Sequence, residues 1–84
     1  QAAVCESGAA AILADAADRV MVLRRHGVHF AGRVLEPGAS AQVEDGTLTV
    51  VPTDRTYGPV TLRLGEHAQA WAARVDAVSR RDDA

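Results

Sequence analysis

Val20-Met21-Val22-Leu23 decides the fold of this chain. Four consecutive apolar residues, two of them β-branched, suit a strand buried on both faces. The same run would also extend an alanine-rich helix as far as Arg25, with Gly27 as a left-handed cap beyond His26. A run this short has no decisive period of its own. β-Branching and the break at Asp18-Arg19 favour the strand.

Downstream of it the pattern alternates with period two. Val28, Phe30, Gly32 and Val34 fall on one face, and His29, Ala31, Arg33 and Leu35 on the other. Glu36-Pro37-Gly38 is a turn, with proline pre-set for its first corner and glycine for its second. Val43-Glu44-Asp45-Gly46-Thr47-Leu48 is the clearest local signal: Asp-Gly supplies the two positive-φ positions of a type I′ hairpin turn. With Asp45 and Gly46 as the loop, Glu44 faces Thr47 and Val43 faces Leu48. Ala41, Val43, Leu48 and Val50 then share one face, and Gln42, Glu44, Thr47 and Thr49 the other.

Pro52 ends that segment, because it cannot donate to a ladder. Pro52 to Pro59 is the longest loop. Val60, Leu62 and Leu64 alternate with Thr61 and Arg63 in a half-buried strand that Gly65 breaks. Glu66 opens a final helix, whose apolar stripe is Ala68, Trp71, Ala72, Val75 and Val78.

Upstream, Ser7 suits a helix N-cap, and the alanine-rich run behind it predicts a helix over 8–17. Ala9, Ile12, Leu13, Ala16 and Val20 make its stripe. Residues 1–6 and 80–84 are expected to fray. The sequence therefore predicts a single α+β domain over 1–84. An antiparallel sheet of four or five strands, open or curled into a partial barrel, carries an N-terminal helix and a C-terminal amphipathic helix packed through Trp71, Val75 and Val78.

Composition narrows the function. The 84 residues include 17 Ala but one each of Phe, Tyr and Trp. A chain this short buries a modest fraction of its surface, and alanine contributes little apolar area. A protein partner or a second copy covering one face is therefore expected. The net charge of −2 argues against general binding to nucleic acid. All nine basic residues are Arg, which matches GC-rich bacterial coding. No apolar run is long enough to span a membrane, although a membrane surface stays open as a partner. A single cysteine, Cys5, forbids an intrachain disulfide and fits a cytoplasmic setting. A start at Gln1 rather than Met reads as a processed or excised chain.

No motif carries chemistry. Cys5, His26 and His29 lack the spacing of a metal site, His67 stands apart, and no serine, cysteine or carboxylate pair is placed as a catalytic set. No catalytic residue, metal or cofactor is assigned, and the chain is not read as an enzyme; a small enzyme or metal protein using Cys5, His26 or His29 is the third alternative. The recognition candidates are Arg55 and Tyr57 in the long loop, an Arg/Tyr pair of the kind enriched at binding hot spots. With them go Arg24 and Arg25, a basic cluster that could meet an anion or an acidic partner.

Thr61-Leu62-Arg63-Leu64-Gly65-Glu66-His67-Ala68-Gln69-Ala70-Trp71 resembles the last strand and the start of the C-terminal helix of a pleckstrin-homology-like domain. The resemblance covers about a quarter of the chain. It implies a helix that plugs an open β-barrel, and a module for lipid headgroups or peptides. That family has seven strands before its helix, against the four or five read here. A non-catalytic module for protein binding or assembly is the leading expectation, and the pleckstrin-homology-like module is the alternative.

Overall fold

The computed structural model describes residues 1–80. The Asp82-Asp83 end of the expected frayed tail lies outside them. Among the described residues, seven strands precede one helix: β1 (Ala2–Val4), β2 (Ala10–Ala14), β3 (Val20–His26), β4 (His29–Val34), β5 (Ser40–Glu44), β6 (Thr47–Val51) and β7 (Val60–Arg63), then a 3₁₀ turn (Gly65–His67) and α1 (Ala68–Arg80). They form two antiparallel sheets in sequential order, β1-β2-β3-β4 and β5-β6-β7. No helix among the described residues is long and apolar enough to cross a membrane.

The expected N-terminal helix is absent. Its alanine-rich run is β2, paired with β1 through Ala3 opposite Ile12 and with β3 through Ile12 opposite Val22. Alanine's helical advantage over ordinary residues is under about 1 kcal/mol each. A five-residue segment flanked by a strand on each side gains more from two ladders and a buried face: Ala10, Ile12 and Ala14 are all buried. The turn after it is set by Asp15, whose Oδ1 accepts from the backbone N–H of Ala17 and of Arg19 at 2.9 Å each. Ser7, expected to cap a helix, accepts instead from the N–H of Ala9 in the β1–β2 connection. Residues 2–4, expected to fray, are β1.

Val20-Met21-Val22-Leu23 is a strand, as β-branching indicates. The Asp45-Gly46 hairpin has the register expected of it, with Glu44 opposite Thr47 and Val43 opposite Leu48. Both turn residues have positive φ, 52° and 77°. Gly46 is required for a second reason. Its carbonyl accepts from the N–H groups of Leu64 and Gly65 at 3.0 Å, so closely that a Cβ there would lie 3.0 Å from the Gly65 Cα. The hairpin tip is thereby tied to the start of the C-terminal segment.

The core lies between the two sheets and under α1. Ile12, Val20 and Val22 come from the first sheet, Leu48, Val50, Val60 and Leu62 from the second, and Trp71, Val75 and Val78 from the helix. The buried stripe of α1 is the one its spacing predicts, and it packs on β5 and β6 with an edge on β3. The β1–β2 connection runs beside β7: Glu6 N–H donates to Arg63 O, and Arg63 N–H donates to Cys5 Sγ.

Candidate protein-docking surface

Period-two alternation in β1–β4 divides the side chains between two faces. One carries Ile12, Val20 and Val22 into the core. The registers Val4 opposite Ala11, Leu13 opposite Met21, Leu23 opposite Gly32, and Met21 opposite Val34 put another apolar set on the outward face. There Val4 is 65% exposed, Phe30 53%, Val34 50% and Met21 36%. Leu13 and Leu23 fill the space between them, half-buried. A shallow depression lined by Leu13, Met21 and Val34 continues the face toward the Asp15 turn. The Val28–Val34 face, apolar enough to suit a core, thus points outward.

Gly32 flattens this surface. A Cβ at that position would lie 2.8 Å from Leu23 Cδ2 and 3.3 Å from Met21 Sδ, so its absence lets both side chains lie against β4. The β3–β4 turn then projects Val28, 92% exposed, among Arg25, His26 and His29. Gly27 has φ 65° at the first turn position, the place of glycine in a type II′ hairpin. Arg25 extends over the Phe30 ring at 5.9 Å, so a cation borders the apolar face at its distal end.

The residues singled out from the sequence divide into two groups. Tyr57 and Arg24 come together, but as an internal clamp. Tyr57 is buried, and its hydroxyl donates to Ala31 O at 2.7 Å. Arg24 lies over its ring at 4.5 Å and donates to the carbonyls of Tyr57 and Pro59. Arg33 covers the ring from 5.2 Å and donates through Nε to Asp54 Oδ2 at 3.0 Å. Together they fasten the 52–59 loop beneath the β3–β4 hairpin. Burial pushes the Tyr57 hydroxyl above its ordinary pKa, with Arg24 and Arg33 opposing. The Arg33 hydrogen bond and the N–H of Thr56 hold the Asp54 carboxyl below its ordinary value against slight desolvation. Arg55 is exposed on the same loop, and Arg25 is exposed on the hairpin, so these two do not join the clamp.

No protein-family model matches the chain, and no curated protein or solved structure is significantly similar to it. The surface therefore has to be read from its own chemistry.

Among the described residues, no three of His, Cys, Asp and Glu come together as metal ligands. Cys5 is buried beside β7. Burial raises its thiol pKa, but hydrogen bonds from Ser7 Oγ and from the Arg63 N–H prevail and leave it below the ordinary value. The hydrogen-bond partners of its sulfur are Ser7 and Arg63, neither of them a base. His26 and His29 pair across the tip of β3 and β4, at the other end of the hairpin from the core.

The outward face escaped sequence reasoning for a definite reason. Alternation says that Phe30 and Val34 share a side; it does not say which side the core takes. The one available signal was a surplus. The strands of this sheet have apolar residues on both faces, more than a single core needs.

Proposed function

We propose that this chain is a non-catalytic binding module that docks a protein partner on the outward face of β1–β4. One observation carries the reading: Val4, Met21, Phe30 and Val34 are exposed on one continuous sheet face, with Leu13 and Leu23 between them. Contiguous apolar patches of this kind mark interaction sites, whereas scattered exposed leucines do not. The composition agrees, since a small alanine-rich chain gains stability from a partner.

A photo-reactive side chain placed at Met21 or Phe30 is expected to cross-link to protein in cells of the source organism. The same group at Gln42 or Thr49, on the outward face of β5–β7, is expected not to. Equal yields from both sheets would remove the reading.

A pleckstrin-homology-like module is the second reading, and one observation favours it. Four strands, then three, then a C-terminal helix bearing Trp71 make seven strands before the helix, the number that family has. Its peptide-binding form agrees with the docking face. Its anionic-lipid form has to draw on Arg25, His26 and His29, because Arg24 is engaged by loop carbonyls. Charge reversal at Arg25 should then abolish sedimentation with phosphoinositide-containing vesicles; unchanged sedimentation, or none in the wild type, removes the lipid form.

A further inference from the structure

We propose that the free edge of β4 is a seam between two copies of this chain, joined β4 to β4 in antiparallel register about a two-fold axis at Gly32. The inference rests on the protein-binding reading above and names the partner.

The backbone supplies the first argument. Among the described residues, β3 is the only strand paired with β4. Leu35 N–H donates to Val20 O, while on the other side of β3 Arg25 N–H donates to Ala9 O. Antiparallel alternation therefore turns the N–H and C=O groups of residues 29, 31, 33 and 35 toward β3, and those of Phe30, Gly32 and Val34 toward the open edge. Such an edge is a template for another strand unless something blunts it. β4 contains no proline, and its register with β3 runs from 29 to 34 without a bulge. Its one formally charged side chain, Arg33, is drawn to Asp54 and to Gly32 O, at 2.9 Å for the latter. Pairing would displace only that Gly32 contact.

The side chains supply the second argument, because the edge is complementary to itself. With Gly32 opposite Gly32 of the second copy, Phe30 faces Val34 of the second copy and Ala31 faces its Arg33. An aromatic residue opposite a β-branched one is a favourable cross-strand pair, and no like charges meet. All three outward-facing residues enter the ladder. Centring the axis on Arg33 would set two guanidinium groups face to face. Centring it on Ala31 would set Val34 against the Val28 turn and shorten the ladder. The favoured register makes the two apolar outward faces one continuous surface.

A seam this narrow belongs with small, weak interfaces, so the dimer is expected at high concentration. The decisive test uses the full chain with Cys5→Ser, which keeps an acceptor for the Arg63 N–H. Phe30→Cys and Val34→Cys proteins are oxidised separately and as a mixture. Facing hydrogen-bonded residues have Cα atoms about 5.5 Å apart, within disulfide reach. Like positions, four residues out of step, are about 13 Å apart along the strand. The mixture is expected to yield at least about tenfold more disulfide dimer than either protein alone. Equal yields in all three samples would overturn the register.

Sedimentation provides the second measurement. The wild type is expected to move from its 8.8 kDa monomer mass toward twice that value between micromolar and millimolar concentration. Val34→Pro removes an outward N–H without disturbing the β3 ladder and is expected to stay monomeric. Met21→Lys, on the face but one strand from the edge, is expected to keep dimerising. A wild type that is monomeric at millimolar concentration overturns the seam. So does a dimer broken by Met21→Lys and retained by Val34→Pro. Neither result touches the broader reading, which stands if Met21 or Phe30 still cross-links to another protein.

Discussion

The two sheets treat their solvent sides differently. On β5–β7, the outward residues are Ser40, Gln42, Glu44, Thr47, Thr49, Thr61 and Arg63, with Val51 the one large apolar side chain among them, while Val43, Leu48, Val50 and Leu62 face the core. That is the ordinary division of a sheet with one wet face. On β1–β4 the core face carries Ile12, Val20 and Val22 beside the Arg24 and Arg33 of the loop clamp, and the outward face carries Val4, Leu13, Met21, Phe30 and Val34. Water covers the first arrangement at little cost. The second exposes apolar surface that only another molecule would bury. One sheet is therefore a scaffold, and the other combines scaffold with surface.

Substitutions on the two sides of this contrast should separate by size. Leu62, fully buried on β7, anchors the scaffold side, and Leu62→Ala is expected to cost about 2–5 kcal/mol in urea unfolding. A loss below about 1 kcal/mol would mean that the β5–β7 core is looser than its burial implies. Gly46→Ala follows, since its φ of 77° and the approach of Gly65 both oppose a side chain. More than about 1 kcal/mol is expected in the same assay, and a neutral result would contradict the hairpin geometry.

The clamp that joins the loop to the β3–β4 hairpin comes next. Tyr57→Phe removes the hydroxyl that donates to Ala31 O and is expected to cost about 1 kcal/mol. Acid should loosen the same clamp. The Asp54 carboxyl, paired with Arg33, titrates below its ordinary value in the folded chain. The folded state then binds fewer protons than the unfolded one. Its contribution is complete above the unfolded pKa of about 4 and is lost as the pH falls through the lower folded value. Thermal unfolding between neutral pH and pH 3 should therefore fall more steeply for the wild type than for Asp54→Asn. Parallel curves would show that the Arg33 pair adds nothing.

The smallest effect on stability sharpens the contrast most. Phe30→Ser on the outward face of β4 is expected to change stability by no more than about 0.5 kcal/mol, while reducing cross-linking to partners. A large loss of stability would make Phe30 part of the core.

Much of this fold was legible from local patterns. The Asp45-Gly46 hairpin appears in the register its turn dictates, because positive φ at two adjacent positions leaves the strands one way to pair. The helix stripe through Trp71, Val75 and Val78 is legible for a similar reason, since thirteen residues are enough for a 3.6-residue period to stand out. The alanine run was misleading. Its residues favour a helix in isolation, and only β1 and β3 on either side make it a strand. Of the residues the sequence offers for binding, Tyr57 was paired with Arg55, whereas the structure buries Tyr57 against Arg24 and Arg33. Residue type records a capacity for contact without recording which surface the contact serves.

What the sequence determined by itself was therefore local: that the segments from Val20 onward extend, where Asp45-Gly46, Pro52 and Gly65 break them, and which residues of α1 share a side. These follow from backbone sterics and from periods of two and 3.6, which act over a few residues. Tertiary structure alone decided that Ala10–Ala14 is a strand, that Tyr57 is held between Arg24 and Arg33, and that Phe30 and Val34 face solvent. Each of those outcomes depends on partners distant in the chain. A two-sided apolar sheet has one core to serve, and only packing of the second sheet and α1 chooses the face that serves it.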